Sequence, residues 1–248
     1  MVSSSAIAIN ATSVISRPGD VSAPPRAVSS RLPEKRPGQE GGRRDENRRQ
    51  KTLALADAAL GAMLERGVLA VTVDEIAAAA GVAKGSFYRY FDAKEQLVEA
   101  LLRPLSDRLD ALAVGADRAI GIATTEDELL AAYRTLADGL QSVLLAHPRE
   151  VLLYLQESRG PAQGDRRPIG ALAKRVSRMA IELTERAHEH RLLRPLDPRV
   201  SALAVVGAAE RLVFEVLTFG SVTAPLEAAQ ALVTMVMEGL WNPDRRHG

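Results

Sequence analysis

The chain has 248 residues, enough for one large domain or two modest ones, and it is 46% apolar but only 4% aromatic, which suits a core of Ala, Leu and Val packed helix on helix. With no Cys it has neither disulfides nor thiolate chemistry, as fits a reducing cytoplasm. The formal net charge of +1 is unevenly spread: residues 1–51 carry 10 Lys+Arg against 5 Asp+Glu, residues 52–103 carry 5 against 7, and residues 104–248 carry 17 against 19.

Residues 1–44 are rich in Ser, Pro, Gly and Arg and lack periodic apolar positions, so this stretch is expected to be a disordered basic arm. It lacks the basic start and unbroken apolar run of a signal peptide. Arg43, Arg44, Arg48 and Arg49 lie just ahead of the first helix, which the periodicity starts near Arg48. They read either as a solubilising run or as an arm for a DNA groove or phosphates. Leu53, Ala56, Leu60 and Met63 mark the buried face of that helix, and Gly67 ends it.

A second, short helix is expected from about Val73 to Ala80, with Thr72 as N-cap and Glu75 completing a capping box. Gly81 then supplies a left-handed turn, and a third helix runs from about Ala83 to Tyr90. Two short helices meeting at a glycine make a helix-turn-helix. Ile76, Ala77, Ala80, Val82, Phe87 and Phe91 form its inner face, while Lys84 and Tyr88, four apart, point outward beside Gly85, Ser86 and Arg89. No acidic residue stands between Glu75 and Asp92. A surface free of carboxylates that offers hydroxyl and cationic donors suits the phosphates and base edges of DNA. Asp92 is expected to cap a fourth helix, with Leu97, Leu101 and Leu102 buried and Pro104 as its kink or end.

Further helices are expected at about 105–118, 126–147, 149–159, 167–192, 198–220 and 225–240, separated by Pro-, Gly- and Asp-containing loops. The most apolar stretch, Ser201 to Gly220, contains Glu210, Arg211 and Glu215 and is no membrane span. An enzyme reading finds little support. Glu185 and His188 have the spacing of a di-iron ligand pair, but none of the four His supplies the second copy. No phosphate loop, dinucleotide fingerprint or nucleophile–base pair is present, and no cofactor or metal is expected.

The run from Gly81 to Glu95, GVAKGSFYRYFDAKE, resembles the helix-turn-helix of the TetR family of transcriptional regulators, with similarity extending over about residues 48–102. The resemblance implies a DNA-binding domain at 45–102 and a helical effector-binding and dimerisation domain at 103–248. It implies that Lys84, Gly85, Ser86, Tyr88, Arg89 and Tyr90 touch DNA, that Lys94 contacts phosphate at the start of the fourth helix, and that Thr72 meets the backbone, with Arg48 in the adjoining arm. Tyr90 could equally be a packing residue. Ala83 stands where the family often has Ser or Thr, so one polar contact is missing.

The same resemblance places an effector pocket among the helices from about 105 to 192, where Tyr133, Gln141, His147, Tyr154 and Gln156 are the candidate ligand contacts. The last two helices, about 198–220 and 225–240, are apolar on more than one side. That pattern predicts a second subunit packed against them. The function implied is a dimeric regulator of a palindromic operator, a repressor released by a small molecule. A ligand-responsive activator of the same fold, or a helical interaction module without DNA function, are the alternatives.

Overall fold

The computed structural model describes residues 43–220 and 225–240. The expectations for the arm therefore lie outside the described residues, except at its end. Among those described, helices account for nearly all the regular structure and there is no strand, so the chain is all-α. The helices are α1 (Arg43–Arg66), α2 (Val73–Ala79), α3 (Lys84–Phe87), α4 (Lys94–Ile122), α5 (Glu126–Ala146), α6 (Pro148–Glu157), α7 (Arg167–Glu189), α8 (Pro198–Phe219) and α9 (Pro225–Leu240). None is long and apolar enough to cross a membrane.

Several boundaries differ from the sequence expectation. α1 starts at Arg43, so Arg48 lies inside the helix, where its carbonyl accepts the Thr52 hydroxyl at 2.9 Å. α3 is a single turn, and Tyr88–Tyr90 form a turn after it. The N-cap of α4 is Ala93, without a side-chain cap, and Gln96 reaches back to accept the Asp92 N–H at 2.7 Å. Pro104 neither ends nor divides α4, which is one helix of 29 residues. A proline inside a helix costs about 3 kcal/mol. Here Leu101, Leu102 and Leu105 are buried on either side of it, and that burial offsets the cost. The other helix ends agree with the expectation to within about four residues, as is usual for boundaries read from a sequence.

α4 is the spine, because it supplies both hydrophobic clusters. Its first half joins Leu55, Ala59 and Met63 of α1, Ile76 of α2, Phe87 and Phe91, together with Leu153 and Tyr154 of α6 and Ile169 and Leu172 of α7. Its far end, Ala116 and Ile120, meets Leu129 and Ala132 of α5, Leu183 and Ala187 of α7, Leu192 and Leu193, and Met237 of α9. The first cluster crosses the division expected at residue 102. The three N-terminal helices share one apolar core with the body of the protein.

Within that cluster Phe87 and Phe91 are 0% and 1% exposed, with ring centroids 5.6 Å apart. Truncating a buried phenylalanine costs about 3–5 kcal/mol. Phe87→Ala should therefore lower stability by about that amount in urea denaturation, whereas Tyr88→Ala, at a half-exposed position, should change it by less than about 0.5 kcal/mol.

Candidate nucleic-acid interface

Thr72 and Glu75 form the expected capping box. The Thr72 hydroxyl accepts the Glu75 N–H at 3.3 Å, and the Glu75 carboxylate accepts the Thr72 N–H at 2.7 Å. Arg66, in the last turn of α1, donates to the same carboxylate at 2.5 Å and ties α1 to the start of α2. At the other end of α2 the chain closes in a Schellman arrangement. Gly81 N–H bonds to the Ala78 carbonyl and Val82 N–H to the Ala77 carbonyl, both at 3.0 Å, with Gly81 at φ +65°. Val82 packs onto the first cluster, which fixes the direction in which α3 leaves.

α3 has no side-chain cap at Ala83. A four-residue helix gains little from its own hydrogen bonds, so its place is set by the Phe87 ring beneath it. Above that ring the residues stand as the outward pattern requires. Lys84, Gly85, Tyr88 and Arg89 are exposed and Ser86 is half-buried. Tyr88 lies edge-on to Phe87 at 5.4 Å and 79°, so the buried ring also steers the exposed one. A Cβ on Gly85 would meet nothing within 4 Å. The protein's own packing does not require glycine there, which leaves room for close approach from outside.

Three candidate residues behave differently from the expectation. Tyr90 is half-buried and packs against the first cluster, so most of its ring serves the core. Lys84 is outward but not isolated: its ammonium pairs with Asp74 at 2.7 Å, both side chains being well exposed. That hydrogen bond pushes the lysine pKa upward. The outward surface of α3 is thus not free of negative charge, because α2 brings Asp74 to it. Lys94 turns inward. Its side chain is 10% exposed, and its ammonium donates to the carbonyls of Val71 at 2.5 Å and Val68 at 2.9 Å and pairs with Asp165 at 3.0 Å. Three donors meet three acceptors, so in the free chain Lys94 is held inside and is not presented outward as the resemblance implied. Sequence reasoning had no means of finding Asp165, which lies 71 positions away.

The residues proposed for an effector do not converge. Tyr133 packs on the second cluster, where burial pushes its phenol up to about 12. Tyr154 belongs to the first cluster and donates to Glu210 of α8 at 2.6 Å; burial, then that bond, raise its phenol further. His147 is buried, and its Nδ1 has no hydrogen-bond partner among the described residues. Gln141 is half-buried, and Gln156 is exposed, which removes it from any enclosed pocket. An open cleft of about 640 Å³ lies elsewhere, along α7 beside the end of α6 and the start of α8. Arg159, Lys174, Arg178 and Arg199 line it together with Glu182 and Glu185, and none of the five expected residues does.

Residues 55–101 match the model of the "Bacterial regulatory proteins, tetR family". The chain is 47% identical over 66 residues to the HTH-type transcriptional regulator BetI of Rhizobium meliloti, a match covering 27% of this chain and 32% of that protein. It thus spans about a third of that curated relative. In overall fold it is similar to NalD, described as the secondary repressor of the MexAB-OprM multidrug efflux pump in Pseudomonas aeruginosa. The TM-score is 0.63 at 23% identity, over 80% of this chain and 99% of that one. It is also similar to AibR, solved in complex with isovaleryl coenzyme A and operator DNA, with a TM-score of 0.54 at 23% identity over 75% of this chain and 97% of that one.

The capping box makes a pH prediction. Arg66 first, then the Thr72 backbone and hydroxyl, hold the Glu75 carboxyl at about 2, below its ordinary 4.5. A depressed folded-state pKa gives stabilisation that is complete above the unfolded value and lost as pH falls through the folded one. Glu75→Gln should therefore lower the urea midpoint at pH 7, and the gap to the parent protein should close between pH 4.5 and about 2.

Proposed function

We propose that this chain, whose residues 55–101 belong to the TetR family of bacterial regulatory proteins, is a ligand-responsive transcriptional repressor that binds a palindromic operator as a homodimer in the bacterial cytoplasm. The observation that carries the reading is the outward face of α3. Lys84, Gly85, Ser86, Tyr88 and Arg89 stand together on a one-turn helix and the turn that follows it, whose position is imposed by buried rings.

Entering a major groove, that turn offers an ammonium, a guanidinium and two hydroxyls to bases and phosphates, and Gly85 lets the duplex approach the backbone. Thr72, exposed at the front of α2, meets the phosphate backbone at the groove edge. Arg48, half-buried on the first turns of α1, contributes charge nearby. Tyr90 gives the duplex only its exposed edge. Asp74 takes part as well: on docking Lys84 exchanges the Asp74 carboxylate for a phosphate, and in the free protein Asp74 holds the lysine in place.

The second subunit packs against α8 and α9. In a single chain only Ser201 and Ala202 of α8 are buried, while Leu203, Phe219 and Met235 are largely exposed. Apolar side chains left open along two adjacent helices favour a two-fold interface. Repression is supported by the description of NalD as a repressor, and control by a small molecule is supported by AibR, solved with both a coenzyme A ester and operator DNA. The effector enters the body formed by α4 to α8 and biases the two heads away from the spacing of successive major grooves.

Lys84→Ala and Tyr88→Ala should each weaken operator binding by about 1–3 kcal/mol in fluorescence anisotropy, with helicity and dimer mass unchanged. Unaltered affinity in both variants would show that α3 is not the reading element.

A further inference from the structure

The inward turn of Lys94 is half of a larger arrangement at the join between the N-terminal helices and the body. Val68, in the turn between α1 and α2, is held on both sides of its residue. Its N–H donates to the Glu157 carboxylate at 3.0 Å, and its carbonyl accepts from Lys94 at 2.9 Å. Glu157 ends α6 and is 5% exposed; its other oxygen accepts from Arg166. Asp165, one residue earlier, completes the Lys94 ammonium, and Arg167 pairs with Glu95 at 2.8 Å.

The segment from Glu157 to Arg167 thus grips two places in the head at once, the turn at 68–71 and the start of α4. Gly67 shows how tight the passage is. It has φ +85°, and a Cβ there would stand 3.0 Å from the Glu157 carboxylate. Thr72, which starts α2, follows directly after Val71, whose carbonyl Lys94 holds at 2.5 Å. Thr72 is joined to α3 by the cap, the seven residues of α2 and the closed glycine turn. A displacement of the 157–167 segment therefore reaches the outward face of α3 through hydrogen-bonded backbone.

We infer that Glu157, Lys94 and Asp165 form a clamp that sets the orientation of the helix-turn-helix on the body, acting on DNA affinity as positioning residues without touching DNA. This rests on the regulator reading above for its effect on DNA, but the clamp itself has a readout that does not. A buried carboxylate and a nearly buried ammonium, each fully supplied with partners, favour one geometry strongly, because losing either partner strands a desolvated charge. The clamp can be broken without removing any side chain of the first cluster, to which Lys94, Glu157 and Asp165 do not belong.

The test uses the full-length protein with Lys94→Met, Asp165→Asn and the double variant. The probe is a labelled duplex carrying the sequence that the parent protein selects from random DNA. Each single variant should weaken binding by about tenfold, a size common for coupled sites. The double variant should be no weaker than the worse single one. The slope of log K against log salt should stay at the parent value, because no phosphate contact is lost.

In parallel, amide exchange in Asp165→Asn should accelerate at residues 68–72 and not in α5 or α7. A flatter salt slope for Lys94→Met with Asp165→Asn neutral would make Lys94 a phosphate contact and overturn the clamp. Parent-like affinity and exchange in Asp165→Asn would overturn it too. If Lys94→Met fails to fold, Asp165→Asn decides by both measurements. If the parent selects no DNA, the regulator reading fails, and the exchange pattern at 68–72 alone decides the clamp.

Discussion

A helix of four residues cannot hold a position by itself. It satisfies few of its own backbone groups and pays the full nucleation cost of helix formation. α3 exists where it does because Phe87 and Phe91 are fully buried among residues from α1, α2 and α4. Everything the surface offers follows from that anchoring: the edge-on stance of Tyr88, the exposure of Lys84 and Arg89, and the open approach at Gly85. A packed core thus does for α3 what its own length cannot, and it gives the exposed side chains a fixed frame in which to meet a rigid partner.

The same core runs on into the body of the molecule. Leu153, Tyr154, Ile169 and Leu172 join the cluster that contains Phe87, and the polar contacts around Val68 lie at its edge. A head that shared no core with the body could swing freely, and nothing bound in the body would alter its grip on DNA. A head joined by both apolar packing and a few buried polar groups can have its orientation biased, since interfaces of this kind favour discrete arrangements over continuous bending. The continuity of α4 through Pro104 has the same effect, because it makes one rod of what the proline suggested would be two.

What the sequence made legible was local chemistry. Thr72 and Glu75 three positions apart, Gly81 at the turn, and Phe87 and Phe91 one helical turn apart each announce a contact made within a few residues, and all three stand as expected. The misreadings share the opposite character. Lys94 looked like a solvent-exposed cation because its partners lie at positions 68, 71 and 165. Lys84 looked free of carboxylates because Asp74 reaches it from the neighbouring helix, ten residues back. Tyr133 and Tyr154 were both polar-tipped residues amid apolar helices, and only the fold shows that they belong to different clusters. Pro104 was read by its intrinsic cost, which tertiary burial on both sides overrides. The resemblance to a family implied an outward Lys94, whereas in this chain the ammonium pairs with Asp165.

In the proposed function α3 reads base sequence, and two copies of it do so related by a two-fold axis. The most direct measurement is selection of bound duplexes from a random DNA pool by the full-length protein, followed by sequencing. A dimer reading through two copies of α3 should enrich an inverted repeat whose half-sites are spaced by about one helical turn or a multiple of it. Recovery of DNA with no sequence enriched over the starting pool would contradict it, since phosphates alone would then account for any binding.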